Sequence, residues 1–252
     1  MKLKKAYFNR PKGIQKYASE LIFGDSSSTK QIYNLIKSLN KNSKVLFIGA
    51  AEKTKLAEIA MNNFDYFGLD IYKTEYVTHI GDAQKMLFKD NFFNLVVIQS
   101  VLEHLQNPEK CANEIYRVLK TNGYLYSEAP FMQEVHEPGS DFLRFSPEAH
   151  IYLFRKLKIL NIEITKGIGY NMLWSLRYFI STIIRNKKIA GLLCFPFLWL
   201  RYFEKIIPHS QFLWDGCSET AILAKKSKNI SPIKNILKIF SLKKFKYKKV
   251  SF

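Results

Sequence analysis

The chain has 252 residues, 47% of them hydrophobic and 24% charged; that is enough apolar material for one sizeable core, and it excludes a disordered polymer. Its formal net charge of +18 favours an anionic partner such as a phosphorylated substrate, an acidic membrane surface or nucleic acid. Three widely spaced cysteines, Cys111, Cys194 and Cys217, with no Cys-x-x-Cys pair, exclude a disulfide framework or zinc site and fit a reducing cytoplasm.

In chain order, residues 1–27 are polar and irregular. Ile32, Leu35, Ile36 and Leu39 then stand at helical spacing and predict a helix starting near Ser28. Lys44 to Gly49 predicts a short buried strand ending in a turn, followed by a helix over about 53–62. Asp65–Asp70 is a second strand and Val77–Ile80 a third, ending at Gly81-Asp82. Phe92–Gln99 is the most continuous apolar run of this half, as expected of a central parallel strand. Asn107, Pro108 and Glu109 mark a helix start, and Thr121-Asn122-Gly123 its end before a fifth strand, Tyr124–Ala129. Further strands are expected at 159–168 and Ser218–Lys225, with a helical insertion over 171–208 between them. The alternation predicts an α/β fold, a doubly wound Rossmann-like mostly parallel sheet with a helical insertion before the last strand. One domain over 1–228 and a basic tail over 229–252 follow.

Such a sheet binds its ligand outside the carboxyl ends of its strands. Asp70, after strand two, can accept from both hydroxyls of a ribose, and Asp82, after strand three, from an adenine amino group. A lone Asp at a strand end is ordinarily a helix cap. Two at successive strand ends favour a nucleoside ligand instead.

These turns resemble class I methyltransferases of the broad "type 11" family. Val45-Leu46-Phe47-Ile48-Gly49-Ala50-Ala51 corresponds to its glycine-rich motif, Gly68-Leu69-Asp70 to its acidic motif, and Gly81-Asp82-Ala83 to its third. The run from Phe93 through Ser100-Val101-Leu102-Glu103-His104 to Glu114-Ile115-Tyr116-Arg117-Val118-Leu119-Lys120 is the most specific part. The resemblance implies S-adenosylmethionine as cofactor, held by Gly49, Ala50, Ala51, Asp70, Ile71, Asp82, Ala83, Gln99 and Ser100. Pro130 to Glu137 and Asp141 to Ser146 are similar to a subset that occurs with surface-glycan machinery, which implies O-methylation of a glycan, lipid-linked or other small acceptor. Two departures stand out: Ala50 and Ala51, then Glu52-Lys53-Thr54, where the family carries glycines, and Asn94 where it carries an acid. The first motivates an alternative, a non-catalytic binding protein on a degenerate scaffold. The charge motivates another, a nucleic-acid methyltransferase, though no Asn/Asp-Pro-Pro-Tyr motif follows strand four.

Methyl transfer depends mainly on alignment, with a general base for a hydroxyl acceptor. Among five histidines, His79 reads as structural, and His150 and His209 lie in no motif. His104, just after strand four, is either the base or a hydrogen bond shaping the pocket. His136 is expected on the acceptor side. Asp141 and Arg144 read as an ion pair fastening a loop, or Arg144 as a binder of an anionic substrate group. No metal is implied.

The insertion is too apolar for a free surface helix and suits a buried layer, a dimer face or a membrane interface. Ten lysines and no acid follow Glu219, and Ile233, Ile236, Leu237 and Phe240 form a stripe among them. This tail reads as a membrane- or partner-binding helix, or as a solvated segment. A cytoplasmic protein is expected, peripheral at the inner membrane face. No apolar run follows the basic Met1–Lys5, so no signal peptide is expected. The longest apolar run, Gly191–Leu200, falls short of the ~20 residues of a membrane span.

Overall fold

The computed structural model describes residues 29–52, 54–135, 140–203 and 211–227. The tail expectation therefore lies outside the described residues, as do His136 and His209.

Seven strands form one sheet: β1 (Lys44–Ile48), β2 (Asp65–Asp70), β3 (His79–Ile80), β4 (Phe93–Gln99), β5 (Leu119–Pro130), β6 (Lys158–Lys166) and β7 (Glu219–Lys225). Their order is β3-β2-β1-β4-β5-β7-β6. Strands β1 to β5 pair in parallel, and β7 runs antiparallel between β5 and β6. Strand order reverses between β1 and β4, which is where such sheets open a ligand crevice.

Side chains alternate across the sheet and define two cores. On one face Val45, Phe47, Leu95, Val97 and Tyr126 pack with Ile32 and Ile36 of α1 (Lys30–Ser38) and with Leu56, Ala57 and Ala60 of α2 (Lys55–Asn63). On the other, Leu46, Ile48, Val96, Ile98 and Leu125 pack with Cys111, Ile115 and Val118 of α3 (Pro108–Val118) and Ile151 of α4 (Pro147–Leu153). Helix α3 starts as its sequence predicts: the Asn107 side chain accepts from Lys110 N at 3.1 Å, and Pro108 occupies the first turn. Glu114 and Arg117 then tie α3 to the loop ahead of β4. Glu114 accepts from Met86 N at 2.8 Å, and Arg117 donates to the carbonyls of Met86 and Phe88.

Three expectations shift. Val77 is not part of β3, because its N–H closes a turn on Thr74 O at 3.3 Å; only His79 and Ile80 pair with β2. β5 begins at Leu119, and the chain bulges over 120–123 between the Phe93–Leu119 and Leu95–Tyr124 pairs, where Asn122 takes φ +67° and its N–H bonds Lys226 O. β6 stops at Lys166, opposite Glu219, and the insertion helix begins at Ile168.

His150 bridges β5 and β7 from inside the core, with its ring nitrogens 2.8 Å from Ser127 Oγ and 3.0 Å from Thr220 Oγ1. Burial pushes its pKa down to about 3. The proton is taken up far more readily by the unfolded chain, so the stability from this neutral ring is present above about pH 6.5 and is lost as pH falls toward 3. In the folded protein, the His150 ring proton resonances should stay at their neutral position from pH 8 to about pH 4. A midpoint near the ordinary value would show that the ring is not sealed in this way.

Candidate active site

The turn after β1 is built around a single left-handed residue. Gly49 has φ +79°, and a Cβ there would overlap Val101 Cγ2. Only glycine fits both conditions. The N–H groups of Gly49 and Ala50 bond Leu69 O at 2.9 and 3.2 Å, which folds the turn over the end of β2. Ala50 and Ala51 are buried, and neither has a positive φ. Alanine at these two places therefore brings no backbone strain, and the Ala50 methyl packs in the α1–α2 core near Gly68. The motive for a degenerate scaffold loses its footing there.

Asp70 sits beside this turn. One carboxylate oxygen accepts from Ala51 N and the other from Tyr72 N, both at 3.0 Å. Next to it in sequence Ile71 is 64% exposed. Asp82 is exposed and holds Gln84 through its backbone N–H at 2.8 Å and its side-chain amide. Gln84 in turn accepts from Asn107 N at 2.9 Å, linking the end of β3 to the start of α3. Ala83 is buried. A small cleft lies at the ends of β1 and β4, lined by Phe47, Gly49, Ala50, Glu52, Val97 and Gln99 among others. Ser100, exposed at its edge, takes φ +50°, an uncommon conformation for a side-chain-bearing residue and one concentrated at functional sites.

His104 ends a 3₁₀ turn, Leu102–His104. Its Nδ1 lies 2.7 Å from Ser140 O. A carbonyl only accepts, so Nδ1 carries the hydrogen and Nε2 is the basic nitrogen. Nε2 lies 3.8 Å from the buried carboxylate of Glu103. Arg144 spends all five N–H groups on its own loop: Nε on Gln133 O, the others on Leu143 O, Glu134 O and both oxygens of Asp141. That is the arrangement of a fastener. Asp141 has no exposed side-chain surface.

Sequence reasoning missed a buried acid. Glu128 of β5 accepts from Gln99 Nε2 at 2.8 Å and from the Tyr126 hydroxyl. Burial, and then the charge of Glu219, push its pKa up to about 7. Against the cost of burial, the Lys166 ammonium 2.8 Å away holds Glu219 low. The signal was available: an acid near the carboxyl end of a central strand is costly to bury without partners.

The family model for the methyltransferase domain matches residues 43–127. Residues 43–127 are a methyltransferase domain by this match, and the sheet around them has the class I methyltransferase fold. The match spans β1 through most of β5, the strands whose carboxyl ends form the crevice. Solved structures agree on the fold of the methyltransferase domain. A Haloferax volcanii chain solved in complex with the Trm112 methyltransferase activator is similar at 14% identity and a TM-score of 0.53, over 89% of this chain and 97% of that one. The YcgJ protein of Bacillus subtilis is similar at 16% identity and a TM-score of 0.51, over 79% and 98%. Phosphoethanolamine N-methyltransferase 2 of Haemonchus contortus, solved with phosphomonomethylethanolamine and S-adenosylhomocysteine, is similar at 18% identity and a TM-score of 0.50, over 84% of this chain and 57% of that one. No curated protein matches the sequence. Methyltransferases of this class take their methyl group from S-adenosylmethionine, and the crevice has the chemistry to fit it. Two carboxylates, Asp70 and Asp82, stand at successive strand ends, an exposed apolar residue, Ile71, follows the first, and Gly49 and Ala50 line the cleft.

Proposed function

We propose that this methyltransferase moves the methyl group of S-adenosylmethionine to a hydroxyl of a small acceptor, a surface-glycan or lipid-linked precursor at the inner face of the membrane. The observation that carries the reading is the Asp70 carboxylate set against the Gly49–Ala51 turn at the reversal of strand order. In this reading Asp70 accepts from the ribose hydroxyls, Ile71 lies against the adenine, and Asp82 accepts from its amino group. Ala83 backs that pocket, and Gln99 and Ser100 line the methionine side. When bound, the cofactor supplies an electrophilic methyl on a sulfonium and leaves as a neutral thioether. His104 Nε2 takes the proton of the acceptor hydroxyl while the oxygen is held in line with the methyl. His136 and the loop clasped by Asp141 and Arg144 face the acceptor.

Two substitutions test the base. His104→Ala should lower turnover by roughly 10²–10⁴-fold and leave the affinity for S-adenosylhomocysteine unchanged in calorimetry. His104→Asn returns an N–H donor toward Ser140 O but no base. If His104→Asn restores turnover, the residue only shapes the loop.

A further inference from the structure

The insertion between β6 and β7 consists of α5 (Ile168–Ile184), α6 (Lys187–Leu193) and a 3₁₀ segment, Phe195–Tyr202. It has a small interior of its own: Leu173 and Cys194 are buried there, with Leu176, Ile180 and Leu198 packed on them. Its outer side is equally apolar. Met172, Phe179 and Ile183 of α5 stand at spacings of seven and four, on one helical face. Ile189 and Leu192 of α6, then Phe195 and Trp199, are exposed in the same insertion. Phe179 is 66% exposed, Ile183 67%, Leu192 72% and Phe195 62%. Single exposed apolar residues are ordinary, but this many large ones within one short insertion point to an interaction surface.

Charge decides which partner fits. Residues 168–203 contain Arg177, Arg185, Lys187, Lys188 and Arg201 and no acid at all. Arg185, Lys187 and Lys188 are exposed at the turn between α5 and α6, beside the apolar face. A second copy facing this surface would set cation against cation, and the chain's own final segment, lysine-rich and free of acid after Glu219, would do the same. An apolar face rimmed by Lys and Arg and carrying Trp and Tyr is suited to an anionic lipid headgroup layer. Among the described residues no helix is long and apolar enough to cross a membrane.

We propose that this outer face of the insertion docks on an anionic bilayer and holds the acceptor loop at its surface; the second part rests on the reading of a membrane-borne acceptor given above. The Tyr178 hydroxyl of α5 donates to Val135 O at 3.0 Å. Arg144 grips the two preceding carbonyls, Gln133 O and Glu134 O, at 2.9 and 2.8 Å. Tyr178 of α5 and Arg144 thus hold three successive carbonyls, at 133–135, of one loop.

The test is co-sedimentation of the full-length protein with phosphatidylcholine vesicles, alone and mixed with phosphatidylglycerol, at low and high salt. The parent should pellet with the anionic vesicles and keep part of its binding in high salt. A Phe179→Asp, Leu192→Asp, Trp199→Asp variant should bind about tenfold more weakly or worse, while its melting temperature and its affinity for S-adenosylhomocysteine match the parent. An Arg185→Ser, Lys187→Ser, Lys188→Ser variant should lose chiefly the salt-sensitive part. Equal pelleting of the triple-aspartate variant and the parent overturns the proposal. So does a parent that sediments as a dimer which the triple-aspartate change breaks, since a second copy then covers the face. Vesicle docking without any affinity for S-adenosylhomocysteine would leave docking intact and remove the methyl-transfer reading instead.

Discussion

Gly49→Ala is expected to cost the domain about 2–5 kcal/mol and to abolish cofactor binding. Two terms make up the loss. A residue with a Cβ at φ +79° pays about 1–2 kcal/mol in the left-handed region, and forcing that atom against Val101 Cγ2 adds about 1–3 kcal/mol of overpacking. Urea unfolding reads the sum, and Val101→Ala in the same chain separates the terms. The double variant should recover the steric part but not the backbone part, because Val101 does not govern φ at residue 49. An unfolding midpoint for Gly49→Ala equal to the parent's would mean the turn is not built around a left-handed glycine.

Asp70→Asn is expected to weaken S-adenosylhomocysteine binding by about 1.5–3 kcal/mol, the loss of a charge-assisted hydrogen bond, or roughly 10- to 100-fold in Kd. Asparagine is preferable to alanine here. The carboxylate also accepts from Ala51 N and Tyr72 N, so alanine removes the support of the turn together with the ligand contact. The asparagine amide keeps one accepting oxygen, and a thermal melt separates any unfolding from lost affinity. A folded variant with the parent's Kd takes Asp70 out of the ribose contact.

The parts of this molecule legible in the sequence are those written in local order. β2 runs from Asp65 to Asp70 as expected, because the strand is bounded by a helix end before it and a turn after it. The Asn107 cap is equally local. The strand-end positions of Asp70 and Gln99 were legible because strand ends follow from the strands. Glu128 escaped notice because its partners, Gln99 and Glu219, come from other strands, and only the sheet order brings them together. The alanines after Gly49 looked like a damaged motif because sequence does not report φ. In the fold one residue of the turn carries the left-handed conformation, and it is still glycine. Asn94, in place of the family's acid, keeps an acceptor for Lys44 N at 3.1 Å and Lys120 Nζ at 2.9 Å; the missing charge leaves the hydrogen bonds in place. Arg144 read two ways until its donors were traced to their acceptors.

β7 is the last strand to be synthesised among the described residues, and it belongs in the interior of the sheet. It hydrogen-bonds β5 on one side and β6 on the other, and the whole helical insertion is translated before it. Until Lys225 has left the ribosome, β5 and β6 each present an open edge, and no other strand of the order can close the gap between them. Non-local pairing of this kind is slow to form, and open edges invite pairing between chains. A nascent or prematurely ended chain that stops ahead of Glu219 is therefore a pair of adhesive edges and not a smaller enzyme.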